Sequence, residues 1–150
     1  MPQSLSNVLI HVVFSTKDRT KVITPEIETE LHPYLASICR SLDCPSLNVG
    51  GTDDHVHILC RLARTVSVSK AVEKIKTGSS KWIKTKHNRY QSFGWQNGYG
   101  AFSIGASQID VLRKYISNQR EHHRKRTFQE EFRELCEKYN IEYDERYVWN

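Results

Sequence analysis

The sequence lacks the features of a membrane, secreted or zinc-ribbon protein. No apolar run approaches the ~18 residues that a membrane-spanning helix needs, and the start MPQSLSN has no basic-then-apolar leader pattern. Its four cysteines contain no Cys-x-x-Cys pair, and only Cys39 and Cys44 lie close together. This spacing favours neither a zinc ribbon nor a disulfide framework. We therefore expect a reduced, cytoplasmic protein.

The chain also lacks internal repeats, low-complexity segments and anything that reads as an interdomain linker. Its 150 residues are enough for one domain with a substantial core and leave little room for a second. The hydrophobic fraction of 38% and the charged fraction of 26% are those of an ordinary globular protein. We expect a single domain spanning residues 1–150.

Positive charge is concentrated in the middle of the chain. Residues 1–64 carry six Lys and Arg against seven Asp and Glu, residues 65–126 carry thirteen against three, and residues 127–150 carry three against seven. The formal net charge of +5 therefore conceals a central segment of about +10 flanked by acidic ends. Aromatic residues are interleaved with these cations, and this pattern favours binding to a nucleic acid over a plain solvated helix.

Hydrophobic periodicity predicts four strands and four helices. The strands are expected at 7–16, 44–51, 54–63 and 99–106, and the helices at 25–42, 67–87, 107–125 and 127–140. Pro33 is expected to kink or restart the first helix. The order β-α-β-β-α-β predicts a ferredoxin-like α+β sandwich, with an antiparallel sheet, helices on one face and further C-terminal helices.

Two histidines occupy alternate positions of the third predicted strand. His55 and His57 project to the same face because strand side chains alternate, and two neutral imidazoles there could hold one divalent metal ion. A His-x-His pair alone is equally consistent with ordinary hydrogen-bonded histidines. No closed zinc site is indicated, so an open catalytic site is the better metal interpretation.

Tyr115 and Gln119 lie one helical turn apart within the basic segment. A phenol attacks a phosphodiester poorly unless a metal or a base assists it, and a glutamine carbonyl could complete a metal site held by His55 and His57. An isolated Tyr-x-x-x-Gln pattern would usually be a boundary aromatic and a surface amide. Because the histidine pair is also present, Tyr115 and Gln119 become candidates for a nucleophile and a metal ligand.

Across nearly its whole length the chain resembles the HUH-type single-tyrosine transposases of bacterial insertion sequences, including their repeat-associated relatives. The similarity rests on HVVFSTKDR (11–19), GGTDDHVHIL (50–59), WQNGYGAFSI (95–104), YISNQREHH (115–123) and DERYVW (144–149). A His-hydrophobic-His pair followed by a helical tyrosine, with glutamine four residues later, is specific in this context.

The resemblance implies a metal-dependent single-stranded DNA transposase. His55, His57 and Gln119 would hold Mg²⁺ or Mn²⁺, and Tyr115 would be the nucleophile that cuts the strand and forms a 5′-phosphotyrosine link. It also implies a homodimer that recognises imperfect DNA hairpins at element ends, with no organic cofactor. We expect no added DNA-binding domain, as in a minimal transposase.

Several cations are expected to contact the DNA backbone; they are Lys17, Arg19, Lys70, Lys74, Lys81, Lys84 and Arg89. His122 and His123 could contact phosphate or support the site, or could be plain surface residues. We assign no functional role to His11, His32 and His87. Two alternatives stay open: a non-catalytic or domesticated hairpin-binding protein, and a replication-initiation or relaxase-type nuclease, which usually carries longer domains.

Overall fold

The structure, a computed structural model that describes residues 2–150, contains one antiparallel sheet and five α-helices. In chain order the elements are β1 (Val8–Ser15), α1 (Pro25–Ser41), β2 (Ser46–Gly51), β3 (His55–Leu62), α2 (Val68–Lys84), β4 (Gly100–Ile104), α3 (Ile109–Ser117), α4 (Gln119–His122) and α5 (Phe128–Lys138). Short 3₁₀ turns occupy Lys17–Arg19, Asn88–Tyr90 and Ala106–Gln108.

The sheet has the strand order β2-β3-β1-β4, with every neighbouring pair antiparallel. Strand β1 lies between β3 and β4, and its Val8–Ser15 pair in register with Leu62–His55 of β3. This order and the β-α-β-β-α-β succession make a ferredoxin-like α+β fold, which confirms the expectation from the sequence.

One face of the sheet forms the main hydrophobic core with α1 and α2. Alternate residues of β1 and β3 point into it, among them Val12, Phe14 and Ile58. The helices contribute an apolar stripe each, and Tyr34 of α1 stacks on Trp82 of α2 with ring centroids 4.5 Å apart. Burying these side chains supplies most of the driving force that holds the layers together.

The opposite face of the sheet is covered by the C-terminal helices. Here Val13 and Phe102 pack against Phe128, Phe132 and Cys136. The alternate residues of β1 and β3 that do not enter the main core, including both predicted metal-binding histidines, point to this face. The sheet therefore separates the structural core from the surface on which the histidine pair lies.

The structure differs from two local predictions. Helix α1 does not restart at Pro33. Both Pro33 and Thr29, whose carbonyl loses its hydrogen bond, lie on the solvent side, where water can replace the missing donor. The helix predicted over 107–125 is instead divided at Asn118, with backbone angles φ −102° and ψ 25°.

Aromatic residues and cysteines of the chain are largely interior. Tyr90, Phe93 and Trp95 belong to the main core, and Phe102 is buried on the other face. The four cysteines are free thiols. Within residues 2–150 no helix combines the length and apolarity required to cross a membrane.

Candidate active site

Strand β3 carries the histidine pair at its first and third residues. His55 lies opposite Ser15 and His57 opposite Val13 of β1, so both imidazoles leave the sheet on the face covered by the C-terminal helices. Both side chains are completely buried, and their ring centroids are 5.1 Å apart. The predicted pair therefore shares one enclosed site instead of lying on the surface.

Helix α3 is held against β2, which brings Tyr115 to this site. The Asn48 amide of β2 donates hydrogen bonds to the carbonyl of Arg113, at 2.9 Å, and to the Ser117 hydroxyl, at 3.1 Å. Ile116 is fully buried and lies directly over Gly50. A Cβ at Gly50 would overlap the Ile116 carbonyl oxygen and lie 2.7 Å from its Cγ2, so only glycine permits this approach.

Substitution of Gly50 by alanine should displace α3. The added methyl group meets backbone, which cannot rotate away, and we expect the free energy of unfolding to fall by about 1–3 kcal/mol. Chemical denaturation measures this loss. Gly105→Ala is the matched control, because a Cβ there meets no atom within 4 Å, and it should leave stability unchanged. A Gly50→Ala variant as stable as the wild type would contradict this packing.

Gln119 and Tyr115 both lie beside the histidine pair, although they belong to separate helices. The Gln119 side-chain oxygen is 3.1 Å from His55 Nε2, and its amide donates to the Tyr115 carbonyl at 3.2 Å. Gln119 is buried, and the Tyr115 ring meets the His57 ring edge-on with centroids 5.9 Å apart. Tyr115 thus lies beside the histidine pair of its own chain.

Glu131 of α5 lies at the centre of the site and was missed by the sequence analysis. Its Oε1 is 3.0 Å from Nε2 of both His57 and His123, and 3.5 Å from Nε2 of His55. Its Oε2 accepts a hydrogen bond from the Tyr115 hydroxyl. One buried carboxylate therefore connects the candidate nucleophile to three imidazoles.

The pKa values of Glu131 and Tyr115 are shifted by burial and by the charged and polar groups around them. Burial alone would raise the Glu131 pKa, but hydrogen bonds from His123 and His57 hold it well below its usual range, so the carboxylate is ionised. Burial, together with this negative charge, raises the pKa of Tyr115 above its ordinary value. Arg126 offsets part of that charge by donating to the Tyr115 hydroxyl at 3.0 Å.

The donor set at the site fits a divalent metal ion. Ligand atoms of His55, His57 and Glu131 all lie within 4.8 Å of one another, and the three side chains are buried. The Gln119 oxygen adjoins the same His55 nitrogen. Two imidazole nitrogens and two oxygens form a mixed set whose oxygens are of the kind that Mg²⁺ and Mn²⁺ prefer.

Each histidine of the pair also has hydrogen-bond partners at Nδ1, the ring nitrogen that faces away from the site. Nδ1 of His55 is 2.8 Å from an Asp54 carboxylate oxygen and 3.0 Å from the Thr52 hydroxyl. Nδ1 of His57 is 2.7 Å from Nε2 of His11, a residue to which the sequence analysis assigned no role. Both imidazoles thus present Nε2 to the site and have their other nitrogen hydrogen-bonded, an arrangement typical of metal-binding histidines.

The metal-free protein should lose stability as the pH falls from about 6.5 to about 4. Burial lowers the pKa of His57 from 6.5 to about 4, so the unfolded chain binds this proton at a higher pH than the folded protein does. Unfolding then takes up a proton, and the free energy of unfolding decreases by up to about 3 kcal/mol across this window. Burial lowers the pKa of His11 as well, which acts in the same direction.

Urea titrations between pH 7.5 and 4.5 test this dependence. A His57→Gln variant should show a shallower decrease over the same range, since glutamine does not titrate. A wild-type free energy of unfolding that stays constant over this range would contradict a buried neutral His57.

In the part of the chain that the structure describes, none of the seven cations predicted to contact DNA forms a hydrogen bond or an ion pair with Tyr115, Gln119, Glu131 or the histidine pair. Four of them, Lys70, Lys74, Lys81 and Lys84, belong to α2 on the other face of the sheet. Lys17 and Arg89 line a separate groove beside Tyr90, and Arg19 lies over the Trp149 ring. Their role in DNA binding stays a prediction.

A different group of cations borders the site itself. A cleft beside His123 is lined by residues of both charges from α4, the following linker, the start of α5 and the loops before α1 and β3. Its basic residues are Lys21, Arg120, Arg124, Lys125 and Arg126, and its acidic residues are Asp53, Asp54, Glu121 and Glu130. The charge excess of residues 65–126 pointed to this segment as a whole, but the sequence did not show which of its cations would adjoin Tyr115.

Comparisons with known proteins indicate the family to which this chain is similar. The sequence pattern of a family described as "Transposase IS200 like" matches residues 4–119, which is more than three quarters of the chain. No curated protein matches the sequence at a significant level.

Two solved structures share the fold. A Deinococcus radiodurans R1 protein assigned as a transposase superposes with a TM-score of 0.62 at 19% identity, over 79% of this chain and 98% of that one. A REP-associated tyrosine transposase bound to a REP hairpin superposes with a TM-score of 0.52 at 15% identity, over 77% of this chain and 70% of that one. Transposases are enzymes that cleave DNA and transfer its strands. Because the family pattern matches well over half of the chain, the chain belongs to the IS200-like transposase family.

Proposed function

We propose that the protein is a metal-dependent transposase that cleaves and rejoins single-stranded DNA through a covalent link to Tyr115. The observation that carries this proposal is the convergence, in one buried site, of a tyrosine hydroxyl with two imidazoles and two side-chain oxygens. A binding protein would have no need to enclose a tyrosine hydroxyl among metal-binding groups. Family membership and the shared fold support the same assignment.

In the proposed reaction the Tyr115 oxygen attacks the phosphorus of the scissile phosphodiester. A tyrosine–phosphorus bond forms, and the bond from phosphorus to the 3′ oxygen breaks. The phenol gives up its proton, and the departing 3′ oxygen takes one up to become a free hydroxyl. The 5′-phosphotyrosine preserves the energy of the broken bond, so a 3′-hydroxyl can later attack it and restore a continuous strand without an organic cofactor.

The residues around Tyr115 have separate tasks in this step. Arg126, which donates to the hydroxyl at 3.0 Å, would stabilise negative charge on the phenolic oxygen and the phosphate. His55, His57, Gln119 and Glu131 would hold the divalent ion, Mg²⁺ or Mn²⁺. A bound ion would polarise the scissile phosphate and offset the charge that develops in the transition state.

DNA binding is proposed on both faces of the sheet. The cleft beside His123 adjoins the active site and would hold the phosphates next to the cleaved bond. The predicted cations of α2 have a suitable neighbourhood for a hairpin, since Lys81 and Lys84 line a groove with Tyr99 and Trp95. One structural relative was solved with a REP hairpin, and we infer that this chain also recognises hairpins.

We also propose a homodimer and a cytoplasmic location, both from the sequence. Strand β4 is at one end of the sheet, and its outer edge is available for pairing with a second copy. The contact of Tyr115 with the His57 ring of its own chain supports cleavage in a cis arrangement, which requires no exchange of helices.

Nicking assays test the proposed function. Labelled single-stranded DNA carrying the hairpins that flank the gene is incubated with the protein and Mg²⁺ or Mn²⁺, and the same sequence as a perfect duplex serves as control. We expect cleavage at one position of the single strand, none of the duplex, and no cleavage in EDTA. Tight hairpin binding without cleavage, indifferent to divalent ions, would support the non-catalytic hairpin-binding alternative instead.

A further inference from the structure

A third histidine, His11, contacts the active-site pair from within the sheet. It lies on β1 across from β3, and its Nε2 is 2.7 Å from Nδ1 of His57. The two rings are stacked, with centroids 5.0 Å apart and an interplanar angle of 22°. His11 is 1% exposed and His57 is completely buried, so neither nitrogen of this pair has an alternative partner in solvent.

His11 is fixed in turn by its surroundings. Phe102 of the neighbouring strand β4 lies directly opposite it in the sheet, with ring centroids 6.1 Å apart. The imidazole is therefore held between the ring of Phe102 and that of His57. This packing restrains the rotation of His11 and, through the hydrogen bond, the rotation of His57.

The two histidines of the pair are supported by different chemistry. His55 has a carboxylate and a hydroxyl at Nδ1, from Asp54 and Thr52. His57 has the imidazole of His11 there, with His11 Nε2 at 2.7 Å. A carboxylate can only accept a hydrogen bond, whereas an imidazole nitrogen can accept or donate one.

We propose that His11 is a positioning residue that orients His57 for metal binding and that its hydrogen bond can run in either direction. This inference rests on the proposed function, since it concerns the metal site assigned there. His57 needs two different proton arrangements on its ring, one without a metal ion and one with it. Beside the Glu131 carboxylate its Nε2 is a hydrogen-bond donor, which leaves Nδ1 as an acceptor; toward a metal ion Nε2 must offer a lone pair, which makes Nδ1 the donor.

A partner that could only donate or only accept would favour one of these two arrangements. His11 can do both. Nδ1 of His57 can therefore accept a hydrogen bond from His11 in the absence of the metal and donate one to His11 when Nε2 faces the metal, and the position of His57 does not change. The sequence position of this residue, at the centre of the strand that pairs with the His-x-His strand, is what makes such support possible.

Two substitutions separate this role from simple packing. His11→Phe keeps an aromatic ring between Phe102 and His57 and removes the hydrogen bond, whereas His11→Gln keeps a side chain that can donate or accept. We expect the dissociation constant for Mn²⁺, measured by calorimetry or electron paramagnetic resonance, to rise about 10- to 100-fold in His11→Phe. In His11→Gln it should stay closer to the wild-type value, and His87→Phe, which removes an exposed imidazole elsewhere, should leave it unchanged.

A measurement on the wild-type protein does not depend on the folding of any variant. Nitrogen NMR of ¹⁵N-histidine-labelled protein should show a coupling across the hydrogen bond between His11 Nε2 and His57 Nδ1. Absence of that coupling, or a folded His11→Phe protein with wild-type affinity for Mn²⁺, would overturn the proposal.

These readouts distinguish the role of His11 from the proposed function. A wild-type protein that binds no Mn²⁺ would refute the metal site and with it the proposed reaction. A protein that binds Mn²⁺ with an affinity independent of His11 would leave the proposed reaction intact and refute only this inference.

Discussion

Tyr115→Phe is expected to abolish strand cleavage while hairpin binding is retained. The substitution removes only the oxygen that would form the bond to phosphorus. By comparison with the loss of the nucleophile in other covalent enzymes, the rate should fall by about 10⁴-fold or more. Gel assays of cleavage and of hairpin retardation, run on the same preparation, measure the two properties separately.

A second tyrosine provides the control for this variant. Tyr139 is also partly buried and stacks on Phe102, with centroids 4.9 Å apart, but it lies outside the cluster formed by Glu131 and the histidines. Tyr139→Phe should cleave at the wild-type rate. Undiminished cleavage by Tyr115→Phe would exclude Tyr115 as the nucleophile, whereas loss of cleavage in both variants would indicate a general effect of removing phenols.

His57→Ala is expected to lose metal binding and cleavage together. Its Nε2 is one of the proposed metal ligands, and its removal also takes one of several hydrogen-bond partners from Glu131 and the His57 partner from His11 Nε2. We expect the affinity for Mn²⁺ to decrease more than about 100-fold, because loss of a ligand exceeds the 10- to 100-fold effect of losing a group that supports one. Calorimetric titration measures the affinity directly.

The matched variant for this experiment is His87→Ala, which removes an exposed histidine outside the site and should leave both properties unchanged. Circular dichroism and thermal unfolding establish that His57→Ala is folded at the temperature of the titration. A folded His57→Ala protein that cleaves DNA at the wild-type rate would contradict the assignment of His57 as a metal ligand.

The sheet and the histidine pair were predictable because their signals are local. A β-branched run such as NVLIHVVFST specifies a buried strand, and alternation along β3 specifies that His55 and His57 share a face. The β-α-β-β-α-β order then leaves few topologies. Two of the segments that carry the resemblance to transposases, 11–19 and 50–59, lie in or beside these strands.

The rest of the site depends on contacts between distant segments. Glu131 lies 74 residues from His57 and His11 lies 46 residues from it, and no local pattern shows that either would reach the pair. One signal was present: Glu131 occupies the same helical face as Phe128, Phe132 and Cys136, so an acidic residue falls on an otherwise apolar stripe. The break at Asn118 has no comparable signal, since the helical pattern continues across it.

The measurement that tests the central claim most directly is a search for the covalent adduct. Hairpin-bearing single-stranded DNA is incubated with the protein and Mg²⁺ or Mn²⁺, the mixture is separated on a denaturing gel, and the slow band is digested and analysed by mass spectrometry. We predict an adduct that requires the metal ion, is absent in Tyr115→Phe, and carries a nucleotide phosphate on Tyr115. Cleavage that yields free 5′-phosphate ends with no adduct, or an adduct on another residue, would contradict the account.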